Sequence, residues 1–241
     1  MIVDMVELPD PSVEALVLFG SRSRGDFDAD SDTDIALFAR ADSPVELVLL
    51  RSRLSRAEPD GLRNLSVYSL QTAEEMAAHG SLFLWHLKLE GRILFKRSDW
   101  IDGIMRQLRD YSPLKAERDL RTFEYVLADI IDSIKSTKVT LEFELATLYS
   151  VLRNLGMIVT ALSGNPCFGR LEPILRTKAL MGTGFRLTDG EIKSLLRIKL
   201  IYSRNAVANG EAVTDVLCED IWEKVAGVAG FARRMIDEKI C

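Results

Sequence analysis

The first part of the chain alternates short apolar runs with turn residues. Short, mainly apolar runs of four or five residues bounded by turns are typical of β-strands. These runs are residues 15–19, 35–39, 65–68 and 92–95. After the second run, Ser43-Pro44-Val45-Glu46 offers an N-cap, a proline at the first helical position and a glutamate three residues after the cap. Thr72 repeats this capping signal, and a further helix is expected from Ser81 to Leu89. Residues 1–97 are therefore predicted to form a small mixed α/β domain.

Beyond residue 98 the strand pattern stops and helical periodicity replaces it. One predicted helix is marked by apolar residues on a single face, which are Leu120, Phe123, Leu127, Ile130, Ile131 and Ile134. A second runs from Leu141 to Leu162, a third opens at Thr188, and a last one spans about Thr214 to Glu238. Residues 98–241 are therefore predicted to form an all-α antiparallel bundle, which makes the fold class α+β.

Charge and composition restrict the classes of partner that the protein is expected to bind. The net charge is −5, and residues 1–97 have 11 Lys and Arg against 16 Asp and Glu, whereas the remainder has 20 of each. Nucleic-acid binders usually show a basic surplus, so a nucleic-acid acceptor is disfavoured. No uncharged apolar run approaches the roughly 20 residues that span a bilayer, so no membrane association is expected. The three cysteines lack the spacing of a metal site or disulfide framework, and a cytoplasmic location is predicted.

The segment from Leu16 to Phe38 contains the candidate catalytic and ligand-binding residues. An apolar strand runs into Gly20-Ser21, an arginine-rich turn follows, and Ser31-Asp32-Thr33-Asp34 opens a second strand. Because strand side chains alternate between faces, Asp32 and Asp34 are expected to point the same way, about 6.7 Å apart along the chain. Two carboxylates so placed could share a divalent cation, and oxygen ligands in small number suit magnesium.

The turn before these aspartates suits a phosphate. Gly20 lets backbone approach the ligand closely, and exposed N–H groups with the Ser21 hydroxyl could hold it. Arg22 and Arg24 could add charge-assisted hydrogen bonds to a triphosphate. Phosphoryl transfer needs such groups because negative charge on the transferred phosphate must be neutralised while the reacting oxygens are held in line.

The ordered elements of this segment resemble the signature of the DNA polymerase beta superfamily, especially its minimal and kanamycin-type nucleotidyltransferases. The resemblance implies that Asp32 and Asp34 hold two catalytic Mg²⁺ ions, and that Gly20 and Ser21, with Arg22, Arg24 and Ser31 nearby, bind an NTP, with ATP expected. The segment Leu89-Glu90-Gly91-Arg92 is similar to the Glu-Gly-apolar strand that often closes such domains.

One expected carboxylate is missing. Active members of the superfamily usually have a third acidic residue on the strand placed here at 65–68, where Asn64 and Ser66 take that face instead. The protein could be a slow enzyme, could use Glu58 or Asp60 as the third carboxylate, or could bind nucleotide without activity. Loss of a general base typically costs about 10²- to 10⁴-fold in rate.

The helical part resembles the HEPN-type and kanamycin nucleotidyltransferase-type bundles. Arg204-Asn205 is similar to the start of a HEPN ribonuclease motif, but Asn209-Gly210 stands where its histidine is expected, which disfavours RNase activity. Arg204 and Asn205 could line an acceptor cleft or make structural ion pairs. Kanamycin-type relatives often dimerise, so a homodimer is left open.

Two functions are predicted as alternatives. The first is transfer of a nucleoside monophosphate from an NTP to a hydroxyl of a small-molecule or protein acceptor, with magnesium. The second is a catalytically impaired, regulatory or antitoxin-like nucleotide-binding protein that acts through its helical domain. Proteins that share a fold can act on different substrates, so the sequence does not identify the acceptor.

Overall fold

The computed structural model describes residues 10–27, 32–41, 43–57, 64–136, 141–203 and 215–240, and it divides into two compact units, 1–111 and 112–241. The sequence had placed this division at residue 97. The difference arises from helix α5 (Trp100–Gln107), whose Ile101 and Ile104 are buried in the core of the first unit. Helical periodicity cannot tell which of two neighbouring cores a helix joins.

The first unit has a four-stranded sheet with helices between the strands. Its other elements are β1 (Val13–Phe19), α1 (Ser21–Arg24), β2 (Asp34–Ala39), α2 (Pro44–Ala57), β3 (Asn64–Ser69), α3 (Leu70–Ala78), α4 (Leu82–Glu90) and β4 (Arg92–Lys96). All four predicted strands and the predicted α2 are present. The helix expected to open at Thr72 begins two residues earlier, because the Ser69 side chain accepts a hydrogen bond from the Thr72 backbone N–H and caps α3.

The sheet is mixed, in the order β3-β2-β1-β4. Strand β1 runs antiparallel to β2 and β4, and β2 runs parallel to β3. The register pairs Phe19 with Asp34, and Asp34 with Asn64. The end of β1 and the starts of β2 and β3 therefore meet at one edge, next to the Gly20-Ser21 turn.

Both faces of the sheet are covered. Leu16, Leu18 and Leu37 pack on the α2 side, whereas Val17 and Phe38 pack on the side of α3, α4 and α5. Ser66 and Tyr68 belong to the second face, and the Tyr68 ring stacks on that of Phe38 at 5.9 Å between centroids. Within β3, Asn64 is exposed, whereas Ser66 and Tyr68 are half-buried.

The second unit is helical. The described residues form α6 (Pro113–Lys135), α7 (Leu141–Leu162), α8 (Glu172–Met181), a 3₁₀ turn (Gly182–Gly184), α9 (Asp189–Ser203) and α10 (Asp215–Ile240). The α+β fold class is confirmed, and the predicted helices from Leu120, Leu141, Thr188 and Thr214 are all present. The similarity to HEPN-type bundles stays a prediction.

Helix α7 is the core of this unit. It is long and apolar enough to cross a membrane by length and composition, but 67% of its most apolar window is buried inside the protein. Leu148, Leu152 and Leu155 are fully buried between the neighbouring helices. Burial of this kind is what the core helix of a bundle shows.

The start of α9 confirms the predicted cap. Thr188 Oγ1 accepts from the Glu191 backbone N–H at 3.2 Å, and Glu191 Oε2 accepts from the Thr188 backbone N–H at 2.7 Å. This reciprocal pair satisfies donors that the first turn of a helix leaves without intrahelical partners.

Candidate functional site

The Gly20-Ser21 turn joins β1 to the four-residue helix α1. Gly20 has φ of 73° and ψ of −155°, a backbone conformation that L side chains rarely adopt. A Cβ at Gly20 would lie 2.4 Å from Asp34 Oδ2. Ser21 is only 7% exposed. The chain therefore brings backbone against the carboxylate of Asp34 at a position where only glycine fits.

Asp34 is the first residue of β2 and is half-buried, whereas Asp32 precedes the strand and is exposed. The common direction of the two carboxylates stays a prediction, because the paired strand begins at Asp34. Asp34 lies between its two register partners, Phe19 of β1 and Asn64 of β3. The structure thus fixes Asp34 at the sheet edge and leaves Asp32 in the adjoining segment.

Asn64 occupies the place beside Asp34 where a third carboxylate is expected. Asn64 Nδ2 lies 3.5 Å from Asp34 Oδ1, a long contact for a hydrogen bond. Ser66, the other candidate, is two residues further into the sheet and half-buried. Burial raises the pKa of the neighbouring Tyr68 hydroxyl, although a hydrogen bond with Ser66 acts in the opposite direction. Of the two candidates, Asn64 is the one in contact with Asp34.

The two arginines of the turn differ in their surroundings. Arg24 Nη1 lies 2.7 Å from Glu90 Oε2, and Arg24 Nε lies 3.2 Å from Asp26 Oδ1. The Arg22 guanidinium lies 5.2 Å from the centroid of the Phe27 ring, and Phe27 is half-exposed. Arg24 is therefore held inside the domain by carboxylates, and its predicted contact with a triphosphate would compete with them.

A comparison with known protein families matches the first part of the chain. The family model described as "Polymerase beta, Nucleotidyltransferase" matches residues 6–99. These residues form a domain of that family. The predicted resemblance is confirmed, and the match ends within the first unit. No curated protein sequence matches the chain.

Solved structures similar to the chain are distant. A spectinomycin adenyltransferase from Enterococcus faecialis, with ATP and spectinomycin, is 12% identical, with 92% of each chain covered and a TM-score of 0.47. A toxin-antitoxin structure with AMP-PNP is 17% identical, covering 54% of this chain and 90% of its own, at 0.31. A nucleotidyltransferase-like protein from Exiguobacterium sibiricum 255-15 is 13% identical, covering 96% of this chain and 71% of its own, at 0.34.

The nucleotidyltransferase domain has residues that fit a magnesium ion. Asp32 is exposed, Asp34 is half-buried, and the missing Cβ of Gly20 leaves space against Asp34 Oδ2. Among the described residues, no group of three or more His, Cys, Asp or Glu could hold a metal ion. Magnesium usually retains several waters and binds through one or two carboxylates together with substrate phosphates. Asp34, next to the Gly20-Ser21 turn, offers one carboxylate of the kind that such a site uses.

Helix α4 contributes aromatic side chains to the packing on one face of the sheet. The Phe83 ring contacts those of Phe19 and Tyr68 at 5.4 and 5.1 Å between centroids. His86 also contacts Phe19, at 5.4 Å. These rings pack against one another in the core on that face of the sheet.

Several predicted residues lie outside the part of the chain that the structure describes. They are Ser31, Glu58, Asp60, Arg204 and Asn205.

In the second unit, Arg153 donates from Nε to the Gly169 carbonyl at 3.0 Å, which stabilises the segment before α8.

Sequence reasoning assigned no role to Ser23 or Glu90. The Ser23 hydroxyl donates to the Glu90 carbonyl, and the Glu90 carboxylate contacts Arg24 and His86. Glu90 belongs to the Glu-Gly segment before β4, which the sequence had marked only as the closing strand of the domain.

Proposed function

We propose that this protein transfers a nucleoside monophosphate from an NTP, with ATP expected, to a hydroxyl of a small-molecule or protein acceptor, using magnesium. Pyrophosphate leaves in the reaction. The cytoplasm is the proposed location, because the cysteines do not form the pattern of a disulfide framework. The acidic balance of the chain disfavours a nucleic-acid acceptor.

The close approach of Gly20 to Asp34 is the observation that supports this proposal best. This approach places a glycine turn, which leaves room for a phosphate, next to a carboxylate at the edge of the sheet. Anions favour turns with exposed backbone N–H groups, and carboxylates favour the divalent cation that accompanies a triphosphate. Only a ligand that contains both phosphate and cation uses the two features together.

The proposed roles follow from position. Gly20 and Ser21 contact the phosphates through backbone N–H groups and the Ser21 hydroxyl, and Arg22 adds positive charge. Asp32 and Asp34 hold magnesium. Magnesium, when bound, neutralises charge on the phosphates and helps to align the reacting oxygens. The Asp34 position is set by its strand partners, so its carboxylate needs little reorganisation on binding.

A second candidate function is a nucleotide-binding regulatory protein with little or no transferase activity. It is favoured by Asn64, which lies beside Asp34 in register and offers a neutral amide where a general base is expected. Without that base, transfer is expected to be about 10²- to 10⁴-fold slower, while nucleotide binding is retained.

The test measures pyrophosphate release and label incorporation with each of four α-labelled NTPs and magnesium. Lysate and aminoglycosides serve as acceptors. Asp34→Asn is compared with Asp110→Asn, which changes an exposed carboxylate beyond α5. Labelling that is lost only in Asp34→Asn supports the enzyme. Magnesium-dependent nucleotide binding without labelling supports the regulatory protein, and absence of both refutes the assignment of the site.

A further inference from the structure

Four side chains at the end of α4 and in α1 form a cluster beside the phosphate-binding turn. The Arg24 guanidinium lies 2.7 Å from Glu90 Oε2, and His86 Nε2 lies 3.2 Å from the same oxygen. The Ser23 hydroxyl donates to the Glu90 carbonyl. We call Ser23, Arg24, His86 and Glu90 the Glu90 clamp. Its two main charges are mostly buried, with Arg24 18% exposed and Glu90 16% exposed.

The clamp attaches α1 to α4. Helix α1 has only four residues and follows Gly20 directly, so it is far too short to be stable by itself. Residues 23 and 24 each contact Glu90, one through its carbonyl and the other through its carboxylate. Because the Gly20-Ser21 backbone leads into α1, the direction of its N–H groups depends on how firmly α1 is held.

The clamp also engages the donors of Arg24. Its Nη1 contacts Glu90 and its Nε contacts Asp26. If a half-buried arginine moves away from its carboxylate, a charge-assisted hydrogen bond is lost. The carboxylate then remains buried without that partner, which is unfavourable. The Arg22 guanidinium lies beside the half-exposed Phe27 ring. The two arginines therefore have different surroundings.

We propose that Arg24 and Glu90 are positioning residues that hold the Gly20-Ser21 turn in its phosphate-binding geometry, and that Arg22 is the arginine that contacts the triphosphate. This inference rests on the proposed nucleotide site. It assigns a role to the Glu-Gly segment before β4, and it corrects the expectation that both arginines contact the nucleotide.

The Glu90→Gln variant distinguishes this positioning role from the alternative, in which Arg24 itself binds the nucleotide. If the clamp positions the turn, loss of the Glu90 charge releases α1 and weakens nucleotide binding. If instead Arg24 is a nucleotide ligand held back by Glu90, the same change frees Arg24 and tightens binding. The two ideas thus predict effects of opposite sign.

The experiment titrates the full chain with a fluorescent ATP analogue and magnesium, at a temperature well below thermal unfolding of every variant. Glu90→Gln, Arg24→Gln and their double variant form a cycle. We expect each single change to raise Kd by about tenfold to a hundredfold, the scale that misplaced binding groups reach. The double variant should be no worse than either single one, and Arg24→Lys should recover part of the affinity.

Three further variants complete the design. Arg22→Gln should weaken binding in the wild type, and it should weaken binding less when combined with Glu90→Gln, because Arg22 belongs to α1, which that change releases. Ser23→Ala removes one neutral hydrogen bond and should raise Kd by about two- to tenfold, and it remains informative if Glu90→Gln does not fold. Arg53→Gln removes an ion pair between the exposed Arg53 and Asp10, which precedes β1, and should leave Kd unchanged.

The outcomes are distinct. Unchanged or tighter binding in Glu90→Gln, or additive losses within the Arg24 and Glu90 cycle, overturns the positioning role while leaving the nucleotide site intact. If the wild-type protein binds none of the NTPs with magnesium, the proposed function fails and the inference fails with it.

Discussion

Gly20 lies directly against the Asp34 carboxylate in the candidate site. The Cβ that any other residue would add at position 20 falls 2.4 Å from Asp34 Oδ2. Real Cβ atoms do not approach other atoms so closely, and Gly20 also has a positive φ. Glycine is thus required here for two separate reasons, backbone conformation and space, and only the second concerns the carboxylate.

The first prediction separates these reasons by comparing Gly20→Ala with Gly25→Ala. Gly25 also has a positive φ, of 83°, but a Cβ there would have nothing within 4 Å. Both variants should lose about 1–2 kcal/mol of stability from the strained backbone. Only Gly20→Ala should also displace Asp34 and lose magnesium-dependent nucleotide binding. Urea denaturation and nucleotide titration measure the two effects, and equal loss of binding in both variants would refute a specific role for the Gly20 and Asp34 contact.

The second prediction concerns removal of the metal. Chelation of divalent ions with EDTA should weaken ATP binding to the wild-type protein, because the triphosphate then faces Asp32 and Asp34 without an intervening cation. Asp32→Asn and Asp34→Asn should reduce this dependence on magnesium, since each removes a ligand. Calorimetric titration with and without EDTA provides the measurement. An undiminished magnesium effect in the double variant would place the cation elsewhere.

The third prediction uses the position of Asn64. Asn64→Asp places a third carboxylate next to Asp34, so without metal the variant should be less stable through like-charge repulsion. Magnesium should then raise its thermal midpoint more than that of the wild type. If the missing base limits transfer, the rate should rise by about a hundredfold.

Ser66→Asp is the matched control for that change. It adds the same charge on the same strand face, but at a half-buried position two residues further into the sheet. It should destabilise the domain without any gain from magnesium, because burial of an unpaired carboxylate is costly. Equal magnesium responses in the two variants would show that the Asn64 position is not special.

The sequence predicted the elements of the site because they lie close together in the chain. Turn residues and apolar runs place Gly20 at the end of one strand and Asp34 at the start of the next. Within β3, however, Asn64 and Ser66 were equal candidates. Strand register decides between them, and register depends on pairing with β2, which the pattern of β3 alone does not specify.

The parts that sequence reasoning missed depend on contacts between distant residues. Arg24 and Glu90 are separated by 66 positions, and nothing local to either one indicates their pairing. The sequence also placed the cap of α3 at Thr72, whereas the structure has it three residues earlier, at Ser69. The placement of α5 in the first unit follows from which core receives Ile101 and Ile104, a question of tertiary packing.

The last prediction follows from the charge of Glu90. Burial alone would raise the pKa of this carboxyl, but hydrogen bonds from His86 and Arg24 outweigh that effect, and the pKa is below its usual value of 4.5. A carboxyl with a lowered pKa stabilises the fold fully above its unfolded value and loses this contribution as the pH falls through the folded value. Compared with Glu90→Gln, the wild type should therefore be more stable by a constant amount at pH 6 to 7. The difference should shrink once the pH drops below about 4.5.

Urea denaturation of both proteins between pH 3 and 7 measures this difference directly. Asp26, Arg24 and His86 are present in both proteins, so the two proteins differ only in the Glu90 carboxyl. At neutral pH we expect a gap of about 1–3 kcal/mol, the usual effect of removing one partner of a charged hydrogen bond. A gap that stays constant down to pH 3 would mean that the Glu90 charge does not stabilise the clamp. Nucleotide binding by the wild type should weaken over the same acidic range in which the gap closes, because protonated Glu90 no longer holds Arg24 and α1 in place.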